Sequence, residues 1–69
     1  MMLSKSPQTT LSLLTRDGAV AVTFSAKLTD EQYARLFELT RRAETKLDME
    51  GILASVAAEW GVPAVIVDA

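Results

Sequence analysis

The sequence predicts a small α+β domain of order β-β-α-α-β, and three observations carry that prediction. An Asp17-Gly18 dipeptide divides two strand-like runs in TTLSLLTRDGAVAVTFSA. Residues 28–60 read as two amphipathic helices, and a short β-branched segment, VPAVIVDA, follows the Gly61 that ends the second of them. The domain is expected over 9–69. Residues 1–8 mix Ser, Lys, Pro and Gln without period and read as a flexible N-terminal tail.

The hairpin comes first. Asp-Gly suits a type I′ turn, which needs positive φ at both central residues. With Arg16 facing Ala19, Leu13 would face Val22 and Leu11 would face Phe24, so the large apolar side chains share one face. The other face is Thr10, Ser12, Leu14, Ala21, Thr23 and Ser25. The apolar face is the one that should pack on helices.

The first helix has a start written at several levels. Thr29 and Gln32 have the spacing of a capping box, and Leu28 with Tyr33 that of a hydrophobic staple. Asp30 and Glu31 open it and Arg41 and Arg42 close it, matching the helix dipole, with Glu31–Arg35 and Glu38–Arg42 at i, i+4. Tyr33, Leu36, Phe37, Leu39 and Ala43 make its apolar side.

Neither Gly nor Pro marks the join between the helices, so phase has to place it. At about 100° per residue, Leu36, Thr40, Ala43 and Leu47 fall on one side, while Met49, Leu53, Val56 and Trp60 fall opposite. A straight rod would expose one stripe. A turn is therefore expected within 44–48, with Thr45 or Asp48 capping the second helix. That helix, with Met49, Ile52, Leu53, Val56, Ala57 and Trp60 in series, reads as the more strongly amphipathic of the two. Gly61 supplies a left-handed cap, Val62 its apolar contact, and Pro63 bars continuation. The residues after it are available as a third strand, within the subunit or with a partner, at an edge position.

Composition narrows the functions. Sixty-nine residues with no cysteine and no histidine leave neither a disulfide nor a zinc site as a staple, and 49% hydrophobic residues exceed what so small a monomer readily hides. A homodimer is expected, through Met49, Ile52, Leu53, Val56 and Trp60 and a sheet edge. Gly51, inside the second helix at a cost of about 1 kcal/mol relative to Ala, would allow a neighbouring backbone to approach. Net charge is −2, there is no signal-peptide core, and the longest apolar run is too short for a bilayer. The expected location is the cytoplasm, with no membrane role.

Catalysis is not indicated. Without His or Cys, only carboxylates, Lys and Tyr could move protons, and Asp30, Glu31, Glu38, Glu50 and Glu59 all sit where caps or solvated helix faces want them. No glycine-rich phosphate loop is present, and no cofactor is expected. Tyr33 and Trp60 lie on apolar stripes, which favours packing over ligand binding. Arg41, Arg42 and Lys46 form one basic cluster, suited to the helix dipole or to a phosphate.

The run VTFSAKLTDEQYARL, followed by a turn and a second amphipathic helix, resembles the ribbon-helix-helix family of dimeric DNA-binding proteins over residues 19–60. The resemblance implies a two-stranded ribbon, one strand from each subunit, entering the major groove of double-stranded DNA. Carried over, the outward strand residues are Ala21, Thr23, Ser25 and Lys27, with the start of the second helix near Thr45 and Lys46 offered to a phosphate. Here AETKL stands where the family has a Gly-containing turn, and the Asp17-Gly18 hairpin gives the strand an intramolecular partner. Two functions remain open: a small non-enzymatic dimeric regulator that binds DNA, and an adaptor that binds another protein.

Overall fold

A computed structural model describes residues 7–68, and the expected tail lies almost wholly outside them. The α+β order β-β-α-α-β is observed: β1 Thr9–Thr15, β2 Gly18–Phe24, α1 Asp30–Thr40, α2 Lys46–Trp60 and β3 Ala64–Asp68. The three strands form one antiparallel sheet in the order β1-β2-β3, so β3 completes the sheet within the subunit and β2 has both edges filled. Pro63 immediately precedes β3, where its missing N–H interrupts no ladder.

The side chains divide between the sheet faces as the period of two dictates. Val20, Val22 and Phe24 are fully buried with Leu28, Leu36, Met49, Leu53 and Val56, and Leu11, Leu13, Ala64 and Ile66 pack against that core from the flanking strands. The hairpin register, however, differs by two residues from the expected one. Thr15 pairs with Gly18, Leu13 with Val20 and Leu11 with Val22, so Arg16 and Asp17 form the two-residue loop. Among the described residues no non-glycine residue has positive φ, which excludes a type I′ turn centred on Asp17-Gly18, and Gly18 (φ 139°) takes the unusual conformation instead. A slide by two leaves every side chain on its face, which is why the apolar pattern was blind to it.

Both helices start on full capping boxes. Thr29 Oγ1 accepts Gln32 N–H while Gln32 Oε1 accepts Thr29 N–H, and Thr45 with Asp48 repeats the exchange at α2. The turn occupies 41–45, a few residues earlier than expected, and Arg41 is a C-cap rather than part of a longer α1. Gly61 closes α2 in the left-handed conformation (φ 65°), with Val62 N–H donating to Ala57 O at 3.0 Å.

Two expectations about the helices need correction. It is α1, not α2, that divides more sharply into apolar and polar sides: the apolar side chains of α2 spread more widely around the helix, and Leu47 at its start is 78% exposed. The i, i+4 ion pairs Glu31–Arg35 and Glu38–Arg42 are also replaced. Arg35 reaches across to Glu59 of α2 at 3.2 Å, and Glu38 faces Arg41 at 3.8 Å.

Candidate interaction surfaces

The hairpin tip is fastened to the start of α2. Arg16 N–H donates to Glu44 O at 2.9 Å, and Asp17 Oδ1 accepts Lys46 N–H at 2.7 Å. The Lys46 bond, aided by the Thr15 hydroxyl 2.9 Å away, holds the Asp17 carboxyl below its ordinary pKa. A backbone donor at the first turn of α2, which the family resemblance would offer to a phosphate, thus already carries a carboxylate of the same chain. The Lys46 side chain itself lies across Gly18. At the sheet's opposite end, buried Thr9 Oγ1 donates to Ala26 O and accepts Leu28 N–H, tying β1 to the approach of α1.

The residues named for DNA are spread over these two ends. Arg41, Arg42, Thr45 and Lys46 sit at the hairpin-tip end; Ser25 and exposed Lys27 follow the other end of β2, some six residues or about 20 Å away. Thr23 lies on the outer face, its hydroxyl 3.2 Å from that of Thr10. Arg41 is paired with Glu38, and the Thr45 hydroxyl is committed to its own cap.

The residues expected at a dimer interface do a different job. Met49, Leu53 and Val56 are buried in the core of the single chain, and Trp60 packs on Phe24 with ring centroids 6.0 Å apart. They are consumed by α2 lying over β2 and β3, so no partner is needed to cover them. Ile52, with one side of Val56, borders open space. It lines a groove of about 460 Å³ between the helices with Leu39, Leu47, Gly51 and Ser55, closed at one end by the Arg35–Glu59 pair.

What the structure leaves bare is the sheet. Helices cover one face only. The other carries Thr10, Ser12, Leu14, Ala19, Ala21, Thr23, Val65 and Val67, among which Leu14 is 83%, Val65 64% and Val67 53% exposed. None of these side chains is charged, although the protein has sixteen charged residues (7 Lys+Arg and 9 Asp+Glu). An antiparallel sheet facing water ordinarily turns polar and charged side chains outward. On the covered side, the Glu50 carboxyl of α2 is raised above its usual range, first by interaction with the Asp68 carboxyl of β3 and then by desolvation.

Sequence reading recognised the outer face but missed the free edge of β1 and the cap by Asp17. The first could have been read from TTLSLLT, seven residues with neither charge nor proline. The second had no local signal, because its partners are 29 residues apart.

Among the described residues no helix is long and apolar enough to cross a membrane, and no three or more His, Cys, Asp or Glu are grouped to hold a metal ion. Compared with protein-family models, with curated proteins and with solved structures, the chain matches none.

Proposed function

We propose that the chain is a non-enzymatic protein-interaction module that acts as a homodimer. The uncharged outer face and edge of its sheet are the observation that carries this reading. Exposed Leu14, Val65 and Val67 lie there amid small neutral side chains, a surface suited to burial against protein and poorly suited to a polyanion. The carboxylates support it from another side, since Asp17 and Asp48 serve helix starts and Glu38, Glu44 and Glu59 are paired with arginines. The DNA alternative draws on Thr23, Ser25, Lys27, Arg41, Arg42, Thr45 and Lys46, whose cations divide between two ends of the sheet rather than forming one basic stripe.

Light scattering over a micromolar concentration series, paired with anisotropy titration of a pool of duplexes at low and high salt, tests the proposal. A dimer without duplex binding is expected. A monomer at every concentration would overturn it. So would duplex binding that falls steeply with salt and weakens in Lys27→Ala and Arg42→Ala, which would install the DNA reading in its place.

A further inference from the structure

The sheet has two outer edges, and they are not equally defended. β3 is five residues long, begins after Pro63 and ends at Asp68, beside the Glu50 carboxyl. Charge and proline at an edge discourage pairing with another chain. β1 has seven residues, TTLSLLT, with none of these devices. It also carries exposed apolar groups on both sides: Leu11 and Leu13 are only half-buried on the inner face, and Leu14 stands out beside Thr10 and Ser12 on the other.

The direction of its backbone groups follows from the ladder. Ser25 N–H donates to Pro63 O, so the odd residues of β2 point toward β3 and the even ones toward β1. The even residues of β2 pair with odd residues of β1, which leaves the N–H and C=O of Thr10, Ser12 and Leu14 directed outward along the free edge. Arg16 continues that series and is already bonded to Glu44 O; among the described residues, the other three have no backbone partner on that side.

The order of residues in β1 then selects the occupant. A two-fold axis makes an interface from one patch used twice, so the patch must complement itself. Reversed, T-T-L-S-L-L-T differs from itself only at the Thr10/Leu14 pair. Antiparallel pairing about Ser12 matches Ser12 with Ser12 of the second copy, Leu11 with Leu13, and Thr9 with Thr15. It also aligns the outward groups of Thr10 with those of Leu14, giving three reciprocal pairs that each exchange two N–H···O bonds.

We infer that the β1 edge binds a second copy of this chain, β1 to β1 in antiparallel register centred on Ser12, to form a continuous six-stranded sheet. This rests on the homodimer reading above and specifies its interface. The four leucines at positions 11 and 13 of the two copies meet on the inner face and extend the core across the axis, and no charge is buried. The area covered is on the order of 1,000 Å², the lower bound of specific interfaces, which marks a weak and concentration-dependent dimer.

Cysteine placement reads the register directly, because the chain has no cysteine of its own. In this pairing the two residues at position 12 are about 5.5 Å apart, whereas the two at position 10 are separated by four residues along the strand, about 13 Å. With a thiol cross-linker whose span lies between these distances, Ser12→Cys links to itself. Thr10→Cys and Leu14→Cys each fail alone and link when mixed. Ser12→Lys, which sets like charges face to face on an exposed site, raises the dimer dissociation constant about tenfold or more while far-UV circular dichroism is unchanged. A wild-type dimer in which Ser12→Cys does not link, or in which Thr10→Cys links to itself, overturns this interface and leaves the homodimer reading standing. A wild-type monomer removes both. A monomer whose Ser12→Cys thiol becomes linkable only once residues 1–6 are deleted puts the chain's own N-terminal segment on the edge, and overturns the proposal as well.

Discussion

Asp17 and Lys46 are 29 residues apart in the chain, yet the carboxylate of the first accepts the backbone N–H of the second at 2.7 Å. One side chain in the hairpin loop thereby closes the start of α2, and the sheet and the helix pair are held in a fixed relation at that end. The Arg16 N–H to Glu44 O bond beside it makes the link two-stranded.

Acid should dissolve this link. The Asp17 pKa is lowered in the folded chain, so its contribution is complete above the ordinary carboxylate value of 3.8 and disappears as pH falls through the lower folded value. Asp17→Ala is expected to lower the thermal midpoint at pH 7, with the gap to wild type closing in strong acid. Thermal unfolding followed by circular dichroism from pH 2 to 7 measures it, and a gap independent of pH would show that the charge is immaterial.

Glu50 has the opposite sign. Its pKa is raised by the hydrogen bond with Asp68 and by partial burial, so the ionised form is the one the fold disfavours, and stability is lost as pH rises through its folded value. Glu50→Gln is expected to raise the thermal midpoint at neutral pH. The gain should vanish in acid, where the wild-type carboxyl carries a proton. The same pH series run on this variant decides the matter.

Two leucines of α2 should behave oppositely. Leu53 is fully buried and Leu47 stands in solvent. Leu53→Ala is expected to cost about 2–5 kcal/mol by leaving a cavity, against about 0.5 kcal/mol or less for Leu47→Ala. Urea unfolding of both variants gives the comparison, and equal losses would mean that α2 presents another face to the core.

At Gly18, the residue that opens β2 after the hairpin loop, a side chain has no room. Its φ of 139° is glycine territory, and a Cβ there would run into Lys46. Gly18→Ala is expected to destabilise by about 1–3 kcal/mol. If Gly18→Ala with Lys46→Ala recovers much of that loss in urea titrations, crowding by lysine is the larger part; otherwise the backbone conformation is.

How much of this was legible follows from the distance over which each feature is determined. The capping boxes at Thr29 and Thr45 and the stop at Gly61 are settled within four or five residues; sequence reading found the first and the last, and left the cap of α2 between Thr45 and Asp48, which turn out to be the two halves of one box. The sheet faces were legible because alternation is a local property. The hairpin register was not, because Asp17 and Thr9 are held by bonds to Lys46, Ala26 and Leu28, 17 to 29 residues away. Arg35 offered a local partner in Glu31 and a distant one in Glu59, and packing chose the distant one. Met49, Leu53 and Val56 looked surplus to a small monomer; in the folded chain they are the floor on which the sheet rests.

Trp60 is the only tryptophan, and it is seated on Phe24, a residue of the hairpin that lies 36 positions before it (60 − 24). Nature has thus put a fluorophore at the seam where the two halves of the chain meet. In a stopped-flow refolding trace, closure of the hairpin alone leaves the indole dark to the event, and the change in its emission marks the moment when the C-terminal helix comes down on the strands.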